Sequence, residues 1–377
     1  MRTEARIDLG AVRDNVAALR ERAAAGAQVM AVVKADGYGH GLIPSARAAV
    51  QGGAAWLGVA FLEEALALRA AGLEVPVLAW LTTPGEDVAG AVAAAVDLGV
   101  YDLAQLAAAA EAARTSGTTA RVQLKADTGL SRGGATPADW PDLCAAAAKA
   151  EAGGEVRVTG LWSHLAFADG GADHPVNHKQ AGVFAEALEV ADRAGLRPEV
   201  RHLANSAATL TAPATHYDLV RPGVSVYGLS PVPQLGAPAD FGLRPAMTLA
   251  TTVALTKRVP AGSGVSYLHR HVTSIGTTLA LVPVGYADGV PRAATGVGQV
   301  LLRGVRRTIA GTVCMDQFVL DVGDDEVAAG DEVLLFGPGD QGEPTAQDWA
   351  DAVGTIDYEI VTRIGARVPR VLLGEQA

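Results

Sequence analysis

Two lysines stand at the ends of apolar runs, where an ammonium is out of place unless it has a task. Val29, Met30, Ala31, Val32 and Val33 read as a short strand apolar on both faces, closed by Lys34 and then by a glycine-rich turn carrying Tyr38 and His40. The chain holds 30 basic residues, of which only Lys34, Lys125, Lys149, Lys179 and Lys257 are lysines. Lys149 and Lys179 fall in solvent-patterned helical stretches and Lys257 lies near a turn, so solvated charge accounts for them. Lys34 and Lys125 end strands. A lysine is a Schiff-base nucleophile only as the free amine, and burial is what brings a pKa of about 10.4 toward neutrality. The competing assignment for either lysine is a structural ion pair, for Lys125 with Asp127.

Such groups need a scaffold that brings strand ends together. Residues 2–9 alternate apolar with charged, as a strand does, and residues 10–25 carry Val12, Val16 and Leu19 at helical spacing with Asp8 placed to cap them. Strand patterns then recur near 29–34, 55–60, 75–81, 96–101, 121–126, 156–164, 199–204 and 218–221, separated by alanine-rich helical patterns at 62–71, 103–114, 138–150 and 176–194. Alternating strand and helix requires parallel crossovers. The pattern predicts an α/β fold, a closed (β/α)8 TIM-type barrel rather than an open doubly wound sheet. No long helix follows the eighth strand, and the leading helix is expected to fill that place.

Pro231, Pro233, Pro238 and Pro245, with Gly236 and Gly242, mark a linker over 230–245. Beyond it the period becomes two, over 248–259, 278–284, 299–303, 308–313, 318–322, 333–336 and 367–373, with one short helix at 346–353. The expected division is a barrel of residues 10–235 and a mostly β C-terminal domain of residues 236–377, joined by the N-terminal strand 2–9.

Composition narrows the function classes. At 377 residues and 49% hydrophobic content the chain can bury a large core. A net charge of −11 without basic runs speaks against a nucleic-acid partner. No apolar run approaches about 20 residues and the charged start is unlike a signal peptide, so no membrane partner is expected. Cys144 and Cys314 form neither a disulfide framework nor a metal spacing, and a cytoplasmic location is expected. His174 and His178 have helical spacing, but no carboxylate or cysteine completes a metal set.

In a (β/α)8 barrel the reactive groups sit at the strand C-termini. Those positions hold Lys34; Lys125, Asp127 and Arg132; His164; His202, Asn205 and Ser206; and Arg221 and Gly223. Asn205 and Ser206 open a helix and Pro222-Gly223-Val224 makes a tight turn, so backbone N–H groups there suit a phosphate. A lysine nucleophile beside a phosphate cradle points to pyridoxal phosphate or to a Schiff-base aldolase acting on a phosphorylated sugar.

Several long motifs extend this reading over the whole chain: AVVKADGYGHG from Ala31, LKADTGLSRGG from Leu124, RHLANSAATL from Arg201, LVRPGVSVYG from Leu219, GSGVSY from Gly262, GTVCMDQFVLDVG from Gly311 and YEIVTRIGARVPR from Tyr358. On these the chain resembles the bacterial alanine racemases. The resemblance implies a pyridoxal 5'-phosphate enzyme, a homodimer with its active site shared between subunits, acting on alanine and supplying D-alanine for peptidoglycan.

Residue by residue, the resemblance implies that Lys34 carries the cofactor and acts as one base, and that Tyr267 of the partner subunit is the other. Arg221 would hydrogen-bond the ring nitrogen. Tyr38, Ser206, Gly223, Val224 and Tyr358 would hold the phosphate, with His202 and Asn205 completing the cofactor-binding set. Arg132 would lie by the cofactor's phenolic oxygen, steadied by a carbamylated Lys125. Met315 and Asp316 of the partner subunit would line the substrate pocket, with Tyr286 at its entrance. A charged His164 would orient Tyr267 and, with Arg132, lower its pKa.

Two bases suit a racemase, which must take a proton from one face of Cα and return one to the other. At pH 7 a tyrosine and a lysine each stand roughly 4 to 5 kcal/mol from the basic form, which the surroundings must supply. One departure from the family is Leu268, after Tyr267, where many members have glycine. The rival readings are a racemase of broader specificity, for serine or lysine, and a non-catalytic pyridoxal phosphate carrier. A decarboxylase on the same architecture would use a cysteine and other pocket residues differently. The carrier reading leaves Tyr267, Met315 and Asp316 without a purpose.

Overall fold

The computed structural model describes residues 2–374, which fall into two compact units. The first comprises Val12–Gly37 and Leu42–Leu243. Its eight parallel strands are Gln28–Val32, Trp56–Val59, Val77–Ala79, Asp97–Val100, Ala120–Lys125, Val156–Trp162, Val200–His202 and Leu219–Val220. The first seven pair with their neighbours in sequence, and the eighth pairs with the first. Between the seventh and eighth the Asp218 N–H donates to the Arg201 carbonyl and the Arg221 N–H to that of Ala204, both at 3.0 Å. These bonds close the barrel that the alternating pattern predicts.

The strands are apolar on both faces because both are covered. Trp56–Val59, Val77–Ala79 and Asp97–Val100 are buried throughout. Met30, Trp56, Leu78, Val200 and Leu219 form one cluster at the barrel core. Gly58 and Gly99 make room for Trp80: a Cβ would come within 2.8 Å of the Trp80 ring at Gly58 and within 2.9 Å of the Trp80 backbone at Gly99.

Helices Leu62–Ala70, Leu103–Ser116, Trp140–Ala152 and Pro175–Arg193 lie where the sequence periodicity puts them. Leu42–Gln51 and Val88–Ala93 add two further helices between the strands. After the eighth strand only the short 3-10 turn Val224–Tyr227 follows. The leading helix, Leu9–Arg22, covers that gap: Asn15 Nδ2 donates to the Val226 carbonyl at 3.2 Å. The Asp8 carboxylate accepts from the Ala11 N–H at 3.0 Å, as its cap position requires.

The second unit takes the rest of the described chain and is mostly β. Its six-stranded sheet places Thr3–Asp8 antiparallel to Met247–Thr252 and parallel to Arg370–Leu373. A three-stranded sheet joins Leu255–Val259, Thr277–Val282 and Phe318–Gly323. Two expectations change here. The single strand over 248–259 is two, because the chain changes sheets at Val253 and Ala254, whose N–H groups donate to Asp331 and Leu281 respectively. The strand expected at 308–313 is Val305–Thr308, the second arm of a hairpin turning at Arg303 and Gly304, both with positive φ. The alternation continues to Gly311, but its left-handed φ of 80° takes the chain out of the strand.

Leu78 is fully buried in the barrel cluster. Leu78→Ala is expected to lower the unfolding free energy by about 2 to 5 kcal/mol, measured as the shift in urea midpoint at unchanged slope.

Candidate active site

The first barrel strand delivers Lys34 into an unusual turn. Ala35, Asp36, Gly37 and Tyr38 have φ of 55°, 53°, 60° and 52°, four left-handed residues in succession. For residues with a Cβ each such conformation costs about 1 to 2 kcal/mol, so the turn persists only where its surroundings hold it. Glu64 does much of this. Its Oε1 accepts the Ala35 N–H at 2.6 Å, while Oε2 accepts from Ala60 and Phe61 at 2.9 and 3.2 Å. The Gly37 N–H donates to the Val33 carbonyl at 2.9 Å, and the Asp36 carboxylate accepts from Leu42 at 2.8 Å. A Cβ at Gly37 would lie 2.9 Å from Ser45 Oγ, so glycine is needed there for space as well as conformation.

The Lys34 ammonium is half-buried and lies 5.8 Å from the centre of the Trp80 ring. Burial, and secondarily the cation of Arg132, lowers its pKa, against a smaller upward pull from Glu64.

Lys125, at the end of the fifth strand, is buried between the rings of Tyr101 and Trp162, 4.8 and 4.6 Å from their centres. Burial first, then Arg132 and Arg221, bring its pKa down to about 8, against an upward pull from Asp127. The proposed pairing with Asp127 does not form as a salt bridge. That carboxylate instead caps the following turn, accepting from Gly129, Leu130 and Ser131 at 2.9, 3.1 and 3.1 Å.

The same turn carries Arg132 back over the strand end. Ala135 and Lys125 exchange backbone contact through an N–H to carbonyl bond of 2.8 Å. Gly134 permits this approach, since a Cβ would lie 2.9 Å from the backbone of Ala126 and Asp127. Arg132 is exposed and makes no side-chain hydrogen bond or ion pair among the described residues.

Arg221, just past the eighth strand, is buried without a carboxylate partner among the described residues. Its Nη2 donates to the Ser163 and Leu203 carbonyls at 2.7 and 3.2 Å, its Nη1 to His202 Nδ1 at 2.9 Å, and its guanidinium lies 5.1 Å from the Trp162 ring centre. The Arg221 Nε has no partner in the described chain. Burial pushes its pKa down to about 9, which still leaves it a cation near neutrality.

His202 and His164 are held well below the ordinary histidine value, by burial first and by Arg221 next. His164 Nδ1 lies 3.4 Å from Arg221 Nη2. The expectation of a charged His164 is therefore corrected: among four cationic or potentially cationic neighbours, Arg221, Arg132, Lys125 and Lys34, it stays neutral.

Beside this group, Asn205 caps the helix Ser206–Thr211 by accepting from Ala208 at 3.1 Å, and Ser206 Oγ accepts the Gly223 N–H at 2.7 Å. Val224 follows in the buried turn.

The remaining expected residues belong to the second unit. The rings of Tyr38 and Tyr358 are 6.4 Å apart and tilted by 48°. Tyr267, Tyr286 and Met315 are 69%, 40% and 52% exposed, and Asp316 is exposed and bonded to Arg367 at 2.8 Å. Backbone bonds tie this group together. Tyr286 and Ala287 donate to the Cys314 and Met315 carbonyls at 3.1 and 3.0 Å, and Thr312 Oγ1 donates to the Tyr267 carbonyl at 2.8 Å. Leu268 occupies the left-handed region at φ 64°, which gives the glycine of related sequences a physical reason.

Trp80, Tyr101 and Trp162 are the site residues that the sequence reading missed. Trp80 has no titratable group to mark it, whereas Tyr101 is an ionisable residue at a strand end and carried a signal that went unused; both sit one residue past a strand. Trp162 shares the inward parity of His164, two residues on, and its ring stacks on that of His202 at 5.7 Å and 3°. Glu64 gave a weaker signal, as the third residue of a helix whose start it caps.

Residues 7–231 match the family model "Alanine racemase, N-terminal domain" and residues 246–372 match "Alanine racemase, C-terminal domain". The chain is 68% identical to the alanine racemase of Frankia casuarinae, over 98% of this chain and 96% of the relative, and 61% identical to that of Thermobifida fusca, over 98% of both. The crystal structure of alanine racemase from D-cycloserine-producing Streptomyces lavendulae superposes with a TM-score of 0.98 at 56% identity, covering 100% of this chain and 98% of that one.

Because the folded state binds Lys125's proton less well than the unfolded chain, this group adds stability as pH rises from about 8 toward the ordinary lysine value. In carbon dioxide-free buffer, the rate of Lys125 acetylation by trace acetic anhydride is expected to reach half its maximum near pH 8, read by peptide mass spectrometry. A rate still climbing above about pH 10, the ordinary lysine range, would show that burial does not lower this amine's pKa.

Proposed function

The chain belongs to the alanine racemase family, and on that premise we propose that it interconverts L- and D-alanine by two-base proton exchange at Cα, with Lys34 on one face and Tyr267 of a second copy of the chain on the other. The observation that carries this reading is the uncompensated charge at the C-terminal end of the barrel. Arg132 and Arg221 gather there without an ion-pair partner among the described residues, beside two lysines whose pKa values are lowered. Such a mouth calls for a ligand carrying both phosphate and carboxylate.

The donor set fits pyridoxal 5'-phosphate. Lys34 supplies a partly desolvated amine for the covalent link, and Arg221 has an uncommitted Nε for the ring nitrogen. Tyr38, Asn205, Ser206, Gly223, Val224 and Tyr358 are assigned to the phosphate side and His202 to the support of Arg221. The cofactor, when bound, supplies an electron sink that lowers the cost of negative charge at Cα. Arg221 donates without surrendering a proton near neutrality, so it keeps the ring nitrogen unprotonated and favours return of a proton to Cα.

Lys34 Nζ then takes or returns the Cα proton on its face, helped by the lowered pKa of its ammonium. Tyr267 Oη does the same on the other face, and neutral His164 orients it as a hydrogen-bond partner rather than as a positive charge. Met315, Asp316 and Tyr286 are assigned to the substrate pocket and its entrance. The exposure of Tyr267 on its own chain supports a homodimer in which each site borrows it from the partner subunit.

The free amine of Lys125 can add carbon dioxide and release one proton, and the resulting carbamate would face Arg132, a cation that lacks a partner among the described residues. No helix among the described residues is long and apolar enough to cross a membrane. We assign the enzyme to the cytoplasm, making D-alanine for peptidoglycan.

Incubation with pyridoxal phosphate and L-alanine in D2O is expected to yield D-alanine deuterated at Cα, and Lys34→Ala is expected to yield none. Absence of both D-alanine and deuterium from the wild-type reaction would instead favour another amino acid or a carrier role. Inactive Lys34→Ala and Tyr267→Phe proteins should regain part of the activity when mixed as heterodimers. Proven subunit exchange without recovery would rule out a site built in trans.

A further inference from the structure

We propose that Gln123 is a positioning residue, which fixes His202 in the Nε2–H tautomer and thereby holds Arg221 as a donor at the barrel mouth. The inference rests on the function proposed above only for its kinetic consequence. The geometry itself belongs to the barrel.

The direction of each bond follows from the donors. A guanidinium has no acceptor, so Arg221 Nη1 must donate to His202 Nδ1 across 2.9 Å, and the ring proton must sit on Nε2. His202 Nε2 lies 2.8 Å from Gln123 Oε1, which accepts it. The Gln123 amide nitrogen then donates to Asp97 Oδ2 at 3.0 Å. Asp97 is fully buried, and its carboxylate is held by Arg121 Nε at 2.6 Å and Thr159 Oγ1 at 2.5 Å. Every member has one possible role, so the chain of bonds runs one way, from the cation at the strand C-termini to the carboxylate that opens the fourth strand.

The backbone is shaped to admit this amide. A Cβ at Gly160 would lie 2.7 Å from both Gln123 Cδ and Oε1, so only glycine leaves room for the side chain. The pairing of the fifth and sixth strands shifts register between Val122 and Gln123, so that Val122 faces Val158 and Gln123 faces Gly160. The residue skipped by that shift is Thr159, whose hydroxyl is the one that reaches Asp97. A buried amide needed only for packing would require neither the irregularity nor the glycine.

Without an acceptor at position 123, the buried Nε2–H is left unbonded and only the Arg221 bond at Nδ1 still favours that tautomer. The Nδ1–H tautomer would turn a donor toward Arg221, and the guanidinium would lose its bond and shift.

The test is a long-range 1H–15N correlation spectrum of 15N-histidine-labelled holoenzyme, with His202 assigned by its absence in His202→Phe. Wild type is expected to show a neutral ring protonated on Nε2. Gln123→Met removes the acceptor, whereas Gly160→Ala displaces an unchanged Gln123. Both are expected to move the two His202 nitrogen shifts toward each other, as the tautomers mix. Both should lower kcat by roughly tenfold, the scale of one hydrogen bond to a charged group, with KM changed by less than about threefold.

An Nδ1-protonated ring in wild type, or an unchanged tautomer in both folded variants, would overturn the assignment. A tautomer shift in both variants of a protein that fails to racemise alanine would uphold the positioning role and reject only the proposed reaction.

Discussion

Arg221 is a cation placed inside a barrel with no carboxylate against it among the described residues, and the surrounding site is arranged around that charge. Leaving a charge out of water is costly unless its hydrogen-bonding groups are satisfied. Here the acceptors are neutral: the carbonyls of Ser163 and Leu203 and the ring nitrogen of His202, with the Trp162 face alongside. Neutral acceptors stabilise the guanidinium without cancelling its charge. Its field consequently reaches the other bases, lowering the pKa of Lys125, His164 and His202.

Aromatic rings serve the same end for the lysines. Tyr101, Trp162 and Trp80 shield amines from water while presenting a negative ring face, a compromise between desolvation and charge. The consequence is that both lysines hold their protons less tightly than a solvated lysine does. His164 shows the cost of that crowding, since burial and the neighbouring cations disfavour its imidazolium form.

The second unit solves a different problem. Its catalytic candidate, Tyr267, sits on an exposed turn with left-handed residues at Ser266, Leu268 and His269. Bonds from Ser266 Oγ and Thr312 Oγ1 fasten the two segments to each other, at 2.7 and 2.8 Å. A tyrosine anchored by its backbone and free at its side chain is suited to a partner's site. Conformational strain at Leu268 is offset by these cross-segment bonds rather than by its own side chain.

Much was legible from the chain alone, because it depends on local pattern. The strand-helix alternation determined a parallel α/β barrel, the change to period two determined a β-rich second unit, and Lys34, Lys125, His164, His202 and Arg221 could be read as strand-end groups. Chain contacts made far apart in sequence decided the rest. No spacing rule reveals that Asp127 caps its own turn and leaves Lys125 to two aromatic rings, or that residues 248–259 change sheets midway. Nor can periodicity show that Gly160 leaves space for Gln123, because that need arises only when the fifth and sixth strands pair in one register. Protonation states belong to the same class: residue type sets the reference pKa, but burial and the field of neighbouring cations, both products of tertiary packing, decide the charge at pH 7.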